Sequence, residues 1–168
     1  LQLPGQAAGE MLSGAGSISI TTADVNLAGS VSGVASLSLR ASVAARTIGL
    51  GGVAGAFHIS DQELGHLAGG FSSITIGDAA SGTGTIDIDT AFFLDPVTLA
   101  GGTITDHTGT DITAPSVTLD GNVSPGQTTG LLSVDGETAF AAGSSFAVEI
   151  DGTVPGSSCD QLQVLGDN

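Results

Sequence analysis

Apolar residues recur two apart along most of this chain, in runs of three to six residues that stop at Gly, Asp or Asn. The runs are Ser17–Ile20, Asp24–Leu27, Ser36–Leu39, Thr47–Leu50, Ser73–Ile76, Thr85–Ile88, Val97–Leu99, Thr103–Thr105, Ser116–Leu119, Leu131–Val134, Phe146–Ile150 and Leu162–Val164. A strand turns successive side chains to opposite faces, so this spacing buries one face and leaves Ser, Thr, Asp or Gln on the other. The pattern predicts an all-β chain.

The runs are short for a sandwich, and the breaks between them carry Gly-Gly, Asp-Gly, Ala-Gly or Ser-Gly at close intervals. Three short strands per turn describe one coil of a parallel β-helix. Segments about twenty residues apart also begin alike, as in Gly16-Ser17-Ile18 and Val34-Ala35-Ser36-Leu37. At roughly 20–25 residues per coil the chain makes about seven coils, a rod about 35 Å long at about 4.8 Å per layer. The competing architecture, an antiparallel β-sandwich, calls for longer strands and a Trp or Tyr anchor. One segment departs from the β pattern. Ser60 and Glu63 stand in capping-box register after Ile59, Leu64 and Leu67 are three apart, and Gly69-Gly70 follows. A short inserted helix of about two turns is predicted near Asp61–Leu67, with Leu64 and Leu67 inward and Gln62 and His66 toward solvent.

Composition narrows the partners. The 168 residues suit one domain, and 27 Gly with no Trp or Tyr leave the core to Val, Ile, Leu and Ala. Seventeen acidic residues face only Arg40 and Arg46, for a net charge of −15. Nucleic acid is therefore excluded as a partner, since phosphate contacts need Lys or Arg. No run reaches the roughly 18–20 apolar residues of a membrane span, so no membrane insertion is expected. Residues 1–168 read as a single β-solenoid segment, cut at both ends from a longer chain or polymer.

Two stretches carry a resemblance. Ile59-Ser60-Asp61-Gln62-Glu63-Leu64-Gly65-His66-Leu67, followed by Gly70-Phe71-Ser72-Ser73-Ile74-Thr75-Ile76-Gly77-Asp78, resembles the strand, short helix and I-T-I-G strand of filamentous-haemagglutinin-like exoproteins of Gram-negative bacteria. Asn122-Val123-Ser124-Pro125-Gly126-Gln127-Thr128-Thr129-Gly130-Leu131-Leu132-Ser133-Val134, with Ala142–Ile150 and Cys159-Asp160-Gln161-Leu162-Gln163-Val164-Leu165-Gly166, looks like a repeating unit of autotransporter-type β-helix passengers. That unit has Tyr or another aromatic where Cys159 stands. The resemblance covers about two-thirds of the chain and implies a secreted right-handed parallel β-helix, the stalk of an adhesin or a surface filament, at the cell surface of a Gram-negative bacterium. It carries over no catalytic residues.

Candidate chemistry is sparse. His58 alternates with Phe57 and Ile59, His66 falls on the predicted helix, and His107 lies between Asp106 and Asp111. No HExxH or CxxC spacing marks a zinc site. The densest carboxylates are Asp87 and Asp89, two apart on one strand face, and Asp106 and Asp111, flanking a Thr/Gly loop. They read first as a solvated acidic face, and second as weak calcium ligands, since Ca²⁺ takes oxygen-rich loops. No other cofactor is expected. Paired carboxylates also serve glycoside hydrolysis, so the alternative to a structural module is a carbohydrate-active β-helix enzyme, a polysaccharide lyase or glycoside hydrolase. Cys159, the single cysteine, forms no intrachain disulfide and reads as a small packed residue. The partners expected are neighbouring coils of the same polypeptide or self-association end to end, with surface glycans as an adhesion target.

Overall fold

The computed structural model describes residues 12–107, 111–126 and 128–166. In chain order its strands are β1 (Leu12–Gly14), β2 (Ile18–Thr22), β3 (Val31–Gly33), β4 (Ser36–Ala41), β5 (Ile48–Leu50) and β6 (Phe57–Ile59). After helix α1 (Asp61–Leu64) come β7 (Ser73–Gly77), β8 (Thr85–Ile88), β9 (Ala91–Phe92), β10 (Val97–Asp106), β11 (Asp111–Val123), β12 (Leu131–Phe140), β13 (Ser145–Phe146) and β14 (Gln161–Val164). Every ladder between these strands is parallel. A sandwich of antiparallel hairpins is thereby ruled out.

The pairings fall into three runs. The first joins β2, β4, β7, the start of β10, the middle of β11 and the end of β12. The second joins β6, β5, β8, the end of β10, the end of β11 and β13. In the third, β9, the start of β11, the start of β12 and β14 pair in that order, and β1 pairs with β3. Side chains of one face therefore form continuous rows. Ile20, Leu39, Ile76, Leu99 and Leu119 are registered neighbours and all buried. The outward row beside them is Ser19, Ser38, Thr75, Thr98 and Thr118. Residues from all three runs meet in one apolar core.

Long strands bend between runs. β10 is one strand where the sequence suggests two, and its register shifts between Ala100 and Thr103, at Gly101-Gly102. β11 likewise shifts between Thr113 and Ser116. At Gly77 the backbone takes φ 96°, and a side chain there would run into the Ala100 carbonyl. Only Gly meets both conditions.

Three local expectations are corrected. Val25 and Leu27 are buried, yet the segment forms no strand. Side-chain carboxylates supply what a neighbouring strand would, because Val25 N–H and Leu27 N–H donate to Asp24 Oδ1 and Glu63 Oε1. The Phe146–Ile150 run is a strand only over its first residue, within β13. The helix is one turn rather than two. Its capping box is present, with Ser60 Oγ accepting from Glu63 N–H and Glu63 Oε2 accepting from Ser60 N–H. It stops at Gly65 because the chain beyond pairs with Val31: Val31 N–H donates to the His66 carbonyl and Ala68 N–H to the Val31 carbonyl. Leu64 and Leu67 are buried and Gln62 is exposed, as the spacing requires, whereas His66 is half-buried with Nδ1 on the Leu27 carbonyl at 2.5 Å.

The connection from β5 to its parallel neighbour β6 takes only residues 51–56. It is that short because it folds directly over Gly49, where any Cβ would meet the backbone of Val53 and Gly55.

Candidate functional site

Asp87 projects outward from β8 between buried Ile86 and Ile88, and its Oδ2 lies 3.5 Å from His107 Nδ1. The other oxygen, Oδ1, is buried and accepts no hydrogen bond from the described residues. Asp89 follows the end of β8. Its backbone N–H donates to the Leu50 carbonyl, and its carboxylate covers Gly52, which has no side chain to obstruct it.

Asp106 contradicts the expectation of a solvated face. It ends the inward row Ile59, Leu50, Ile88 and is 1% exposed. Counting from buried Ile104 two residues on, the alternation itself points it inward. Oδ1 accepts the Gly126 N–H, and Thr105 Oγ1 donates to the Gly126 carbonyl at 2.8 Å. Together they hold the Pro125-Gly126 turn, where Gly126 has φ 76°. Asp111 opens β11, and its side chain lies outside the described residues. The structure thus brings Asp87 to His107 but sends Asp106 to the other side of the sheet. Among the described residues no three His, Cys, Asp or Glu side chains converge in a way that could hold a metal ion.

Asp106 belongs to a set that the sequence reading missed. Asp95 is buried and accepts from Gly70 N–H and Phe71 N–H, about one repeat earlier. Asp160 is buried and accepts from Gly130 N–H on Oδ1 at 2.9 Å and from Glu149 N–H on Oδ2 at 2.8 Å. Asp24 Oδ1 takes the His58 N–H as well as its own neighbour's. A chain with two Arg and no Lys cannot pair most of its 17 carboxylates with side-chain cations. It neutralises them with backbone N–H donors instead, and these clamps tie distant segments together. For Asp95, Asp106 and Asp160 the signal was a Gly 20 to 30 positions away, Gly70, Gly126 and Gly130.

One carboxylate titrates away from its ordinary range. Asp78 is held below the usual value chiefly by the Ser81 hydroxyl on Oδ2, then by Ala80 N–H on Oδ1, against a small opposing effect of burial and with help from Arg40 at 3.6 Å.

Two open grooves of about 510 Å³ flank the molecule. One is lined by Asp106, His107, Thr128, Thr129, Pro155 and Ser157. The other is lined by Asp24, His58, Ser60, Gln62, Glu63 and His66. In the second the polar groups are engaged in holding the fold, His58 Nε2 on the Gly51 carbonyl and Glu63 on Leu27 and Ser60. Cys159 is a free, half-buried thiol bridged to Ile150 and Pro155 through the backbone. No helix among the described residues is long and apolar enough to cross a membrane. No family model matches this chain, and no curated protein or solved structure matches it either.

Proposed function

We propose that the three runs of parallel strands wind as a right-handed β-helix and that the chain is a structural module, a stalk or fibre segment of a secreted cell-surface filament or adhesin. The observation that carries this reading is the pairing of rows: an unbroken apolar row inside each run, and outside the first run a row of Ser and Thr hydroxyls one strand spacing apart. Such a body gains length by repetition, each layer burying its neighbour. The clamping of Asp24, Asp95, Asp106 and Asp160 by backbone amides supports it, because these carboxylates serve the fold and not a substrate. The resemblance to filamentous-haemagglutinin-like and autotransporter-type exoproteins points to the same role at the surface of a Gram-negative bacterium. Surface glycans are the adhesion target in this reading, and calcium acts as a loosely held bridge between exposed carboxylates of adjacent rods. Calorimetric heat on adding millimolar calcium supports the bridge, and a silent titration removes it.

A second reading, a glycan-cleaving enzyme, draws on the Asp87–His107 pair and the unpartnered Asp87 Oδ1. The deciding experiment compares the parent chain with Asp87→Asn for cleavage of neutral and acidic polysaccharides, with adhesion to glycan-bearing surfaces scored in parallel. The structural reading expects no cleavage by either protein and equal adhesion. Cleavage lost on Asp87→Asn with the fold intact by circular dichroism overturns it.

A further inference from the structure

We propose that the outward face of the third run of strands carries a binding site for a neutral glycan, with the Phe92 ring as its stacking platform and Thr113 and Asp135 as its hydrogen-bonding groups. The inference rests on the reading of the chain as a module of a surface adhesin and deepens it, giving the glycan target a place on the fold and a chemical class.

The observation is one registered row. Phe92 on β9 pairs with Thr113 on β11, and Thr113 pairs with Asp135 on β12. Each lies between buried neighbours, Ala91 and Phe93, Ile112 and Ala114, Val134 and Gly136, so all three side chains leave the same face of the sheet. An aromatic ring, a hydroxyl and a carboxylate thus stand in line, about 4.8 Å apart from strand to strand. Phe57, Phe71 and Phe93 are buried, whereas Phe92 is 56% exposed and Leu94, two residues on, is equally so. This exposure does not come from an open strand edge. β11 pairs with β9 on one side, and on the other Gly69 backs Leu94, where an added Cβ would lie 3.4 Å from the Leu94 Cβ. Buried Asp95 accepts the Gly70 and Phe71 N–H groups, so the segment bearing the ring is held in place before a ligand arrives.

The chemistry of the row selects the occupant. A pyranose presents an apolar C–H face, which packs on the electron-rich face of a phenyl ring, and a rim of hydroxyls that both donate and accept. The Thr113 hydroxyl donates and accepts in turn, and the Asp135 carboxylate accepts strongly from hydroxyl donors. A few polar groups beside an apolar platform are the usual make-up of a small-ligand site. Charge then sets the class of glycan. Arg40 lies on β4 in the first run, Arg46 precedes β5 in the second, and the chain has no Lys. No cation on this face can pair with the carboxylates or sulfates of an acidic glycan, and Asp135 repels them. A basic peptide would engage Asp135 and the ring but has no use for a hydroxyl midway between them, whereas a neutral sugar uses all three.

The test titrates the full chain by isothermal calorimetry with cellohexaose, maltohexaose and N-acetylated chitohexaose as neutral probes and hexagalacturonate as the acidic one. The proposal expects at least one neutral probe to bind, and hexagalacturonate to bind at least about tenfold more weakly. Phe92→Ala should weaken the neutral probe by about tenfold, and Phe92→Tyr should preserve it. Asp135→Asn and Thr113→Val should each weaken it by about three- to tenfold. Phe140→Ala, which removes an exposed ring elsewhere, should change nothing. Circular dichroism checks that these outward-facing variants keep the fold. The proposal is overturned by no binding of any neutral probe, by binding that survives Phe92→Ala, or by equal binding of hexagalacturonate. Tighter, Phe92-dependent binding of hexalysine overturns it in favour of a basic peptide, and a dimer by light scattering that Phe92→Ala dissolves does so in favour of a second copy. Failure here leaves the structural-module reading standing, as a stalk without its own glycan site, whereas glycan cleavage dependent on Asp87 removes that reading and leaves the binding site in place.

Discussion

The strongest single claim about stability concerns Asp160, whose carboxylate joins Gly130 at the start of one layer to Glu149 near its end. Asp160→Ala removes both acceptors. A hydrogen bond to a charged group contributes about 1.5–3 kcal/mol, and a donor left buried and unpaired costs about 1–3 kcal/mol. Gly130 is buried, so its N–H bears that cost in full; Glu149 is exposed, and water replaces most of what it loses. The expected destabilisation is about 2–4 kcal/mol for Ala. Asn keeps one acceptor oxygen and turns an NH₂ toward the other donor, for about 1–2 kcal/mol. Urea unfolding followed by far-ultraviolet circular dichroism suits a chain with no Trp or Tyr. With a urea slope of about 2 kcal/mol per M, the Ala variant should unfold about 1–2 M earlier at unchanged slope. Hydrogen exchange supplies the local check, since the Gly130 amide should lose protection beyond the global change. An Ala variant within about 0.5 kcal/mol of the parent, with Gly130 protection intact, would refute the clamp.

The parallel, all-β architecture was legible because it depends on alternation and turn residues, which are local. Phe57, Ile74, Ile76, Ile86 and Ile88 are buried where the two-apart rule places them. Register was not legible. The pairing of Val31 with Leu67 crosses from one segment to another 36 positions away, and it is this pairing that ends the helix after one turn. No local spacing encodes it. The same limit explains the carboxylates. Asp87 and Asp106 are both acids in strands of Thr and Ile, yet one sits between two inward Ile residues and the other two positions after an inward Ile. Parity along the strand could have separated them, since Asp106 shares the parity of buried Ile104, whereas Asp87 is registered with Thr105 between them. A buried acid clamped by the backbone was the less obvious reading. Its partner is a backbone N–H about twenty residues on, at Gly126.

Further consequences follow from the same contacts. Asp106→Asn should lower stability by about 1–2 kcal/mol, since a neutral acceptor replaces a charged one at the Gly126 N–H, while Asp87→Asn should stay within about 0.5 kcal/mol; equal urea midpoints for the two would contradict the inward placement. Asp78 has its folded pKa lowered, so the stability it adds is present above the unfolded value near 3.8 and is lost as pH falls through the folded value. Because Arg40 is well exposed, the parent's advantage over Asp78→Asn should be only about 0.2–1 kcal/mol at neutral pH, and an advantage that persists at pH about 2 would contradict the assignment. The sharpest contrast is between neighbours on one strand. Ile76→Asp gives up about 1.5–3 kcal/mol of apolar burial and forces a carboxylate with no partner among Leu39 and Leu99, several kcal/mol more, which together consume most of a typical stability of about 5–15 kcal/mol. Thr75→Asp changes the adjacent residue, which faces outward beside Ser38 and Thr98, and should cost less than about 1 kcal/mol. Circular dichroism should therefore report an unfolded Ile76→Asp chain and a folded Thr75→Asp chain. Since a slip of one residue would exchange their faces, the reverse result would mean that the register of β7 is wrong and, with it, every row built on that strand.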